Sequence, residues 1–189
     1  MQCLFPYFCE NLIIMEKIGL FFGPVGGNCN NVASKIAEII GEDKVDLLPI
    51  KDSKHSDIEL YDKIIFGISS IGKDAWDNED VKTDWDDFLP EFEKINFTGK
   101  KIAVFGLGNQ ITYPSHFAES LGFLANELIS RNVKLIGHFS TKGFDFQESH
   151  AINNNGDFYG LVIDEDNEKE KTEERIKNWL PSIKDAFNL

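Results

Sequence analysis

At 189 residues the chain is sized for one domain with a substantial core, and its net charge of −13 argues against nucleic acid or an anionic membrane surface as a partner. A basic partner protein is favoured instead, although plain solubility accounts for the same acidity. The 3 cysteines, an odd number without CxxC or zinc-like spacing, suit a reducing compartment.

Residues 1–14, MQCLFPYFCENLII, are apolar but lack Lys and Arg and are interrupted by Glu10. No small-residue cleavage site follows, so they do not read as a secretory signal, and no apolar run approaches membrane-spanning length. They are expected to be an extension or a mis-assigned start, with residues 15–189 as the domain. Ile18–Phe22 reads as a strand, followed by a glycine-rich turn and a helix over Asn31–Ile40 with Val32, Ile36, Ile39 and Ile40 on its apolar face. Val45–Leu48 and Lys63–Ile68 read as strands, then a long loop over Ser69–Thr83, then a helix over Trp85–Phe92 with Asp84 as N-cap. Lys101–Phe105 reads as another strand. The loop Gly106–Pro114 leads to a helix over Phe117–Ser130 with Leu121, Leu124, Leu128 and Ile129 on one stripe. Lys134–Phe139 is the last strand of this series. A closing helix starts near Thr172, turns Ile176, Trp179 and Leu180 inward, and should kink at Pro181. Ile64, Ile65 and Phe66, like Ile102, Val104 and Phe105, read as strands buried on both faces, which belongs to a parallel sheet covered by helices. The expected fold is one doubly wound α/β domain.

Ligands of such sheets bind at the carboxyl ends of the strands. Three loops leave those ends. In IGLFFGPVGGNCNNVA, Gly23, Gly26 and Gly27 allow a tight turn whose backbone N–H groups, with a helix N-terminus, suit a phosphate without any lysine or arginine. Val25, Gly26, Gly27, Asn28, Cys29 and Asn30 are the candidate anion ligands, and the same glycines are equally those of an ordinary βα turn. Ser69, Ser70, Ile71, Gly72 and Trp76 line the second loop, and Gly106, Leu107, Gly108, Asn109, Gln110 and Tyr113 the third. Two aromatics flanking a phosphate-sized nest suggest a planar ligand that stacks. The histidines show no metal-ligand spacing, and His116 reads as a surface residue. No catalytic residues are expected, and Cys29 is only a weak candidate for a reactive thiol.

INFTGKKIAVFGLGNQITYPSHFAESLGFLANEL, FSTKGFDFQESHAINNNGDFYGLVIDEDN and TEERIKNW together resemble the long-chain flavodoxins, as does DWDDFLPEFEKINFTGKK. The resemblance runs from Ile18 to the C-terminus. It implies a five-stranded parallel sheet of order 2-1-3-4-5, with the last strand interrupted by an inserted loop between Lys134–Phe139 and Tyr159–Ile163. It also implies non-covalent FMN and one-electron transfer by a monomer in the cytoplasm, with basic reductases and oxidoreductases as partners. Tyr113 falls on the family's ring-stacking tyrosine. Gly108, Asn109 and Gln110 fall in the loop that meets the pyrimidine edge of the ring, and Asp166 falls on an acidic position near the ribityl chain. After the third strand a backbone carbonyl meets the reduced ring, and Gly72 is the candidate. The acidic rim would be Asp74, Asp77, Glu79 and Asp80.

The sequence departs from the family in two loops. Pro24, Gly26 and Cys29 stand where three phosphate-binding hydroxyls are usual, which leaves backbone amides and the side chains of Asn28, Asn30 and Asn31. Ser69, Ser70 and Ile71 replace Pro-Thr-Trp, so either Trp76 or Ile71 covers the inner ring face. Asn109 replaces the usual aspartate. Two alternatives stand beside the electron carrier: a degenerate binding module with weak or no FMN affinity, and a small FMN-dependent reductase.

Overall fold

Apolar residues on both faces of the central strands force helices onto both sides of the sheet. The structure, a computed structural model, describes residues 15–69 and 83–189. Its strands β1 (Met15–Gly23), β2 (Val45–Pro49), β3 (Tyr61–Ile68), β4 (Lys101–Leu107) and β5 (Leu135–Ile136) form a parallel sheet in the order β2-β1-β3-β4-β5. This is the doubly wound order that the resemblance implies. On one face Phe21, Ile64, Phe66, Ile102 and Val104 pack under α3 (Asp84–Phe88) and α4 (Glu119–Ser130), through Trp85, Phe88, Leu121, Leu124 and Leu128. On the other, Leu20, Phe22, Ile65, Ala103 and Phe105 pack under α1 (Asn28–Ile40) and α5 (Thr172–Trp179), through Val32, Ile36, Ile176 and Trp179. A single turn of helix, α2 (His55–Glu59), links β2 to β3, and α6 (Lys184–Phe187) ends the chain.

The fifth strand position is built from two pieces. β5 pairs with Ile102 and Ala103, and β8 (Leu161–Ile163) pairs further along β4 with Phe105, Gly106 and Leu107. Between them lies the insertion, with a small antiparallel pair of β6 (Phe139–Ser140) and β7 (Asp157–Phe158). The expected strand Lys134–Phe139 is therefore split. The buried Trp179 Nε1 donates to Gly137 O at 2.7 Å, holding the chain at the point where it leaves the sheet.

Several boundaries differ from expectation for local reasons. α1 starts at Asn28 rather than Asn31, with Gly27 as its N-cap. Thr83, not Asp84, caps α3: its hydroxyl accepts from Asp86 N at 3.2 Å, while Asp86 Oδ2 accepts from Thr83 N at 2.7 Å. That helix ends at Phe88 and tightens into a 3₁₀ segment over Leu89–Lys94, where Pro90 brings no N–H. α4 starts at Glu119 rather than Phe117, because Ala118 is left-handed at φ 53°. Ile129, one position past Leu128, turns outward and is 42% exposed, so it is not part of the inner stripe. Leu180 is only partly buried, and the closing helix breaks at Pro181 into a 3₁₀ turn over Leu180–Ser182.

Gly106 sets how closely α4 approaches β4. A Cβ there would sit 2.6 Å from Leu121 Cβ. Gly106→Ala is expected to destabilise the protein by about 1–3 kcal/mol through overpacking, read as a lower urea midpoint at unchanged slope.

Candidate functional site

The parallel strands bring Gly23, Ile68 and Leu107, the ends of β1, β3 and β4, to one edge of the sheet. The order of connection reverses between β1 and β3, which makes the crevice there the switch point. Ser69, half-buried, donates its N–H to Gly23 O at 3.2 Å across that crevice. Ser70, Ile71, Gly72 and Trp76, together with the acidic rim Asp74, Asp77, Glu79 and Asp80, lie outside the described residues.

The first loop runs over Pro24–Gly27 and opens straight into α1, with a cis Gly23–Pro24 peptide. Gly26 is left-handed at φ 84°, and among the described residues no atom lies within 4 Å of where a Cβ would stand on Gly26 or Gly27. Gly27 at the N-cap has no side chain to cap the helix, and the first turn carries no acidic residue. The N–H groups of Asn28, Cys29 and Asn30 therefore point out of the helix end without intrahelical acceptors, and the dipole adds positive potential there. Val25 at the loop tip is 41% exposed, and the acid that reaches this loop among the described residues is Asp166, held by the Asn28 amide.

The side chains of this loop do less than the sequence suggests. The Cys29 side chain is fully buried, and burial pushes its thiol up to about 12, against a smaller lowering by the Gly23 backbone. This agrees with Cys29 being only a weak candidate for a reactive thiol, because burial disfavours the thiolate more than its position at the helix end favours it. The Asn28 amide donates to Asp166 Oδ1 at 3.2 Å, and the Asn30 amide reaches only to Ser34 Oγ at 3.5 Å.

The third loop is fixed from behind. Gly106 and Leu107 still belong to β4 and are buried, and Gly108 N donates to Ile163 O at 2.9 Å. Asn109 Nδ2 donates to Asp166 Oδ2 at 2.9 Å, while its Oδ1 accepts from Thr112 N at 2.8 Å and from Asn167 Nδ2 at 3.0 Å. One carboxylate, Asp166, thus receives a side-chain hydrogen bond from each of two loops. Tyr113 is partly exposed and donates its N–H to Asn109 O at 3.0 Å. The Gln110 side chain, which the resemblance places in the loop at the ring's pyrimidine edge, turns inward and is 8% exposed; its Oε1 accepts from Asp145 N at 2.7 Å. The insertion braces the same loop at Pro114, whose carbonyl accepts from Gln147 N at 2.8 Å and from Glu148 N at 3.0 Å.

Two groups went unnoticed in the sequence. Asp164 is fully buried and accepts from Gln110 N at 3.1 Å and from Asn167 N at 3.0 Å. Its nearest signal was the acidic run containing Asp166, but a contact 54 residues apart leaves no spacing to read. The second is Glu168 with Arg175. Burial raises the Glu168 carboxyl, but hydrogen bonds from Lys171, Arg175 and Gln110 overcome this and pull it to about 2. Arg175 also lies over the Phe144 ring, 3.9 Å from its centroid.

Fold and site together define a doubly wound α/β protein with an anion-receptive helix end beside a rigid loop at its switch point. A family model described as Flavodoxin matches residues 20–179. The flavodoxin of Buchnera aphidicola subsp. Baizongia pistaciae is 42% identical over 175 residues, covering 92% of this chain and 98% of that one. Flavodoxin 1 of Escherichia coli K12 is 36% identical over 93% of this chain and 97% of its own length. A mutant flavodoxin of Fusobacterium nucleatum, solved bound to flavin mononucleotide, superposes with a TM-score of 0.80 at 28% identity, covering 92% of this chain and 98% of that one. The chain belongs to the flavodoxin family.

Two outcomes follow from this geometry. In the native protein Cys29 should resist alkylation by iodoacetamide at mildly alkaline pH and become modified only on unfolding, as read by peptide mass spectrometry. Asn109→Asp should remove the donor to Asp166 and set two carboxylates in contact, raising the proton affinity of the pair in the folded state. A folded-state pKa above the unfolded one gives stability at low pH that is lost as pH rises. The variant should therefore fall below the parent by about 1 kcal/mol at neutral pH and approach it in the acid carboxylate range, as measured by urea unfolding.

Proposed function

We propose that the chain is a monomeric, cytoplasmic one-electron carrier that holds FMN non-covalently in the crevice at the switch point. The observation that carries this reading is the convergence on one edge of an uncapped helix N-terminus and the GLGNQITY loop, joined through Asp166. The Fusobacterium nucleatum relative bound to flavin mononucleotide supports the choice of ligand.

The residues present fit the cofactor. The backbone from Val25 to Asn30 offers N–H donors and an open surface to a phosphate, and no carboxylate stands in the first turn of α1. Three hydroxyls are absent relative to the family pattern, at about 1.5–3 kcal/mol for each hydrogen bond to a charged group, so phosphate contacts are weaker than usual. Tyr113 stacks on the outer ring face, and Gly108 and Asn109 meet the pyrimidine edge. Asp166 stands beside the ribityl chain. Bound FMN supplies the capacity to take up and release electrons one at a time; the chain binds, orients and tunes it. A net charge of −13 opposes further negative charge in the crevice and lowers the potential at which the last electron enters. The same acidity steers basic redox partners toward the exposed edge.

The test is the protein purified without added cofactor. Flavin absorption bands, release of FMN on denaturation and two separate one-electron steps in a reductive titration are expected. A colourless protein that takes up no added FMN would establish a binding module instead, and a single two-electron step a reductase.

A further inference from the structure

Asp164 is fully buried at the end of β8. Its Oδ2 accepts from Gln110 N at 3.1 Å and its Oδ1 from Asn167 N at 3.0 Å, and both oxygens lie 3.0 Å from Asn167 Nδ2. The bonds from Asn167 close a local turn three residues long, of the kind Asp commonly makes. The bond to Gln110 is different: it crosses 54 residues and grips the third loop by its backbone, one position after Asn109. Asn167 carries the grip further, since its Nδ2 also donates to Asn109 Oδ1 at 3.0 Å. Donors converge on both oxygens, so both must be acceptors, which a carboxylate satisfies and a neutral amide does not. Burying a charge is costly, and here amide N–H groups offset it.

We propose that Asp164 is the positioning residue of the ring-binding loop, acting through Gln110 N–H and Asn167 to hold Gly108–Gln110 in the conformation that receives the flavin edge. The proposal rests on the FMN reading above. Among the described residues the hydrogen bonds of Asp164 go to Gln110 and Asn167 and not to the phosphate loop, so its influence falls chiefly on the ring half of the ligand.

The test compares the full chain with Asp164→Asn and Asn167→Ala, measuring dissociation constants for FMN and for riboflavin, which lacks the phosphate. Visible circular dichroism of the bound flavin and urea unfolding of the flavin-free protein accompany these. Asp164→Asn is expected to raise both constants by the same factor, about tenfold or more, leaving their ratio unchanged while the dichroism of bound FMN alters. Asn167→Ala, exposed and tolerant of truncation, should shift both constants the same way by a smaller factor, and it decides the matter if Asp164→Asn does not fold. Unchanged constants and dichroism in a parent that binds FMN would overturn the proposal alone, as would a change confined to the FMN-to-riboflavin ratio. A parent that binds neither flavin would overturn the FMN reading, and the proposal with it.

Discussion

A parallel sheet whose strands are apolar on both faces must be covered on both faces, and every other feature here follows from that requirement. Ile64 and Phe66 look one way from β3 and Ile65 the other, and β4 repeats the pattern with Ile102 and Val104 against Ala103 and Phe105. The helices that satisfy this demand cover the faces of the central strands and leave their ends accessible. Because the strands are parallel, β1, β3 and β4 release their loops at the same edge, and the reversal of connection order opens a crevice between the first two. The position of the site is thus a consequence of core burial, before any functional side chain is considered.

Within that crevice the work is divided unevenly between backbone and side chains. The phosphate-type loop relies on geometry: a left-handed Gly26, an α1 without a side-chain cap at Gly27, and a first helical turn free of acidic residues. The hydroxyls that family members usually offer are absent, and the amides of Asn28 and Asn30 are turned toward Asp166 and Ser34. The third loop is the opposite case. It is held by Ile163 O, Asp164, Asp166, Asn167 and the insertion, so its shape is imposed by segments that come 30 to 60 residues later in the chain. Rigid placement of one loop can offset a sparse donor set on the other, because preorganised ligands lose less entropy on binding.

The replacement of the family's aspartate by Asn109 belongs to this arrangement. An amide can donate to Asp166 and accept from Thr112 and Asn167 at once, which joins the two loops through one carboxylate. An aspartate in its place would have no hydrogen to offer. Nearby, Glu168 stays ionised because Lys171, Arg175 and Gln110 hold it, and Arg175 rests on Phe144 of the insertion. Charge at this edge is therefore organised into local pairs and amide cages, even though the chain as a whole is strongly acidic.

Much of this was legible in the residues themselves. Alternation of apolar runs with amphipathic stretches determined the doubly wound class, because burial periodicity is a property of each segment alone. The glycine pattern marked the first loop, and the resemblance carried by GLGNQITYP and the inserted strand marked the third. What the tertiary structure decided were matters of direction. Cys29 is buried under the sheet rather than offered at the helix end, Gln110 turns inward to Asp145, Ile129 turns outward, and Asp164 reaches back to the third loop. Each of these depends on which distant segment lies within about 3 Å of a given atom, and that distance is set by packing of the whole chain, on which local sequence is silent.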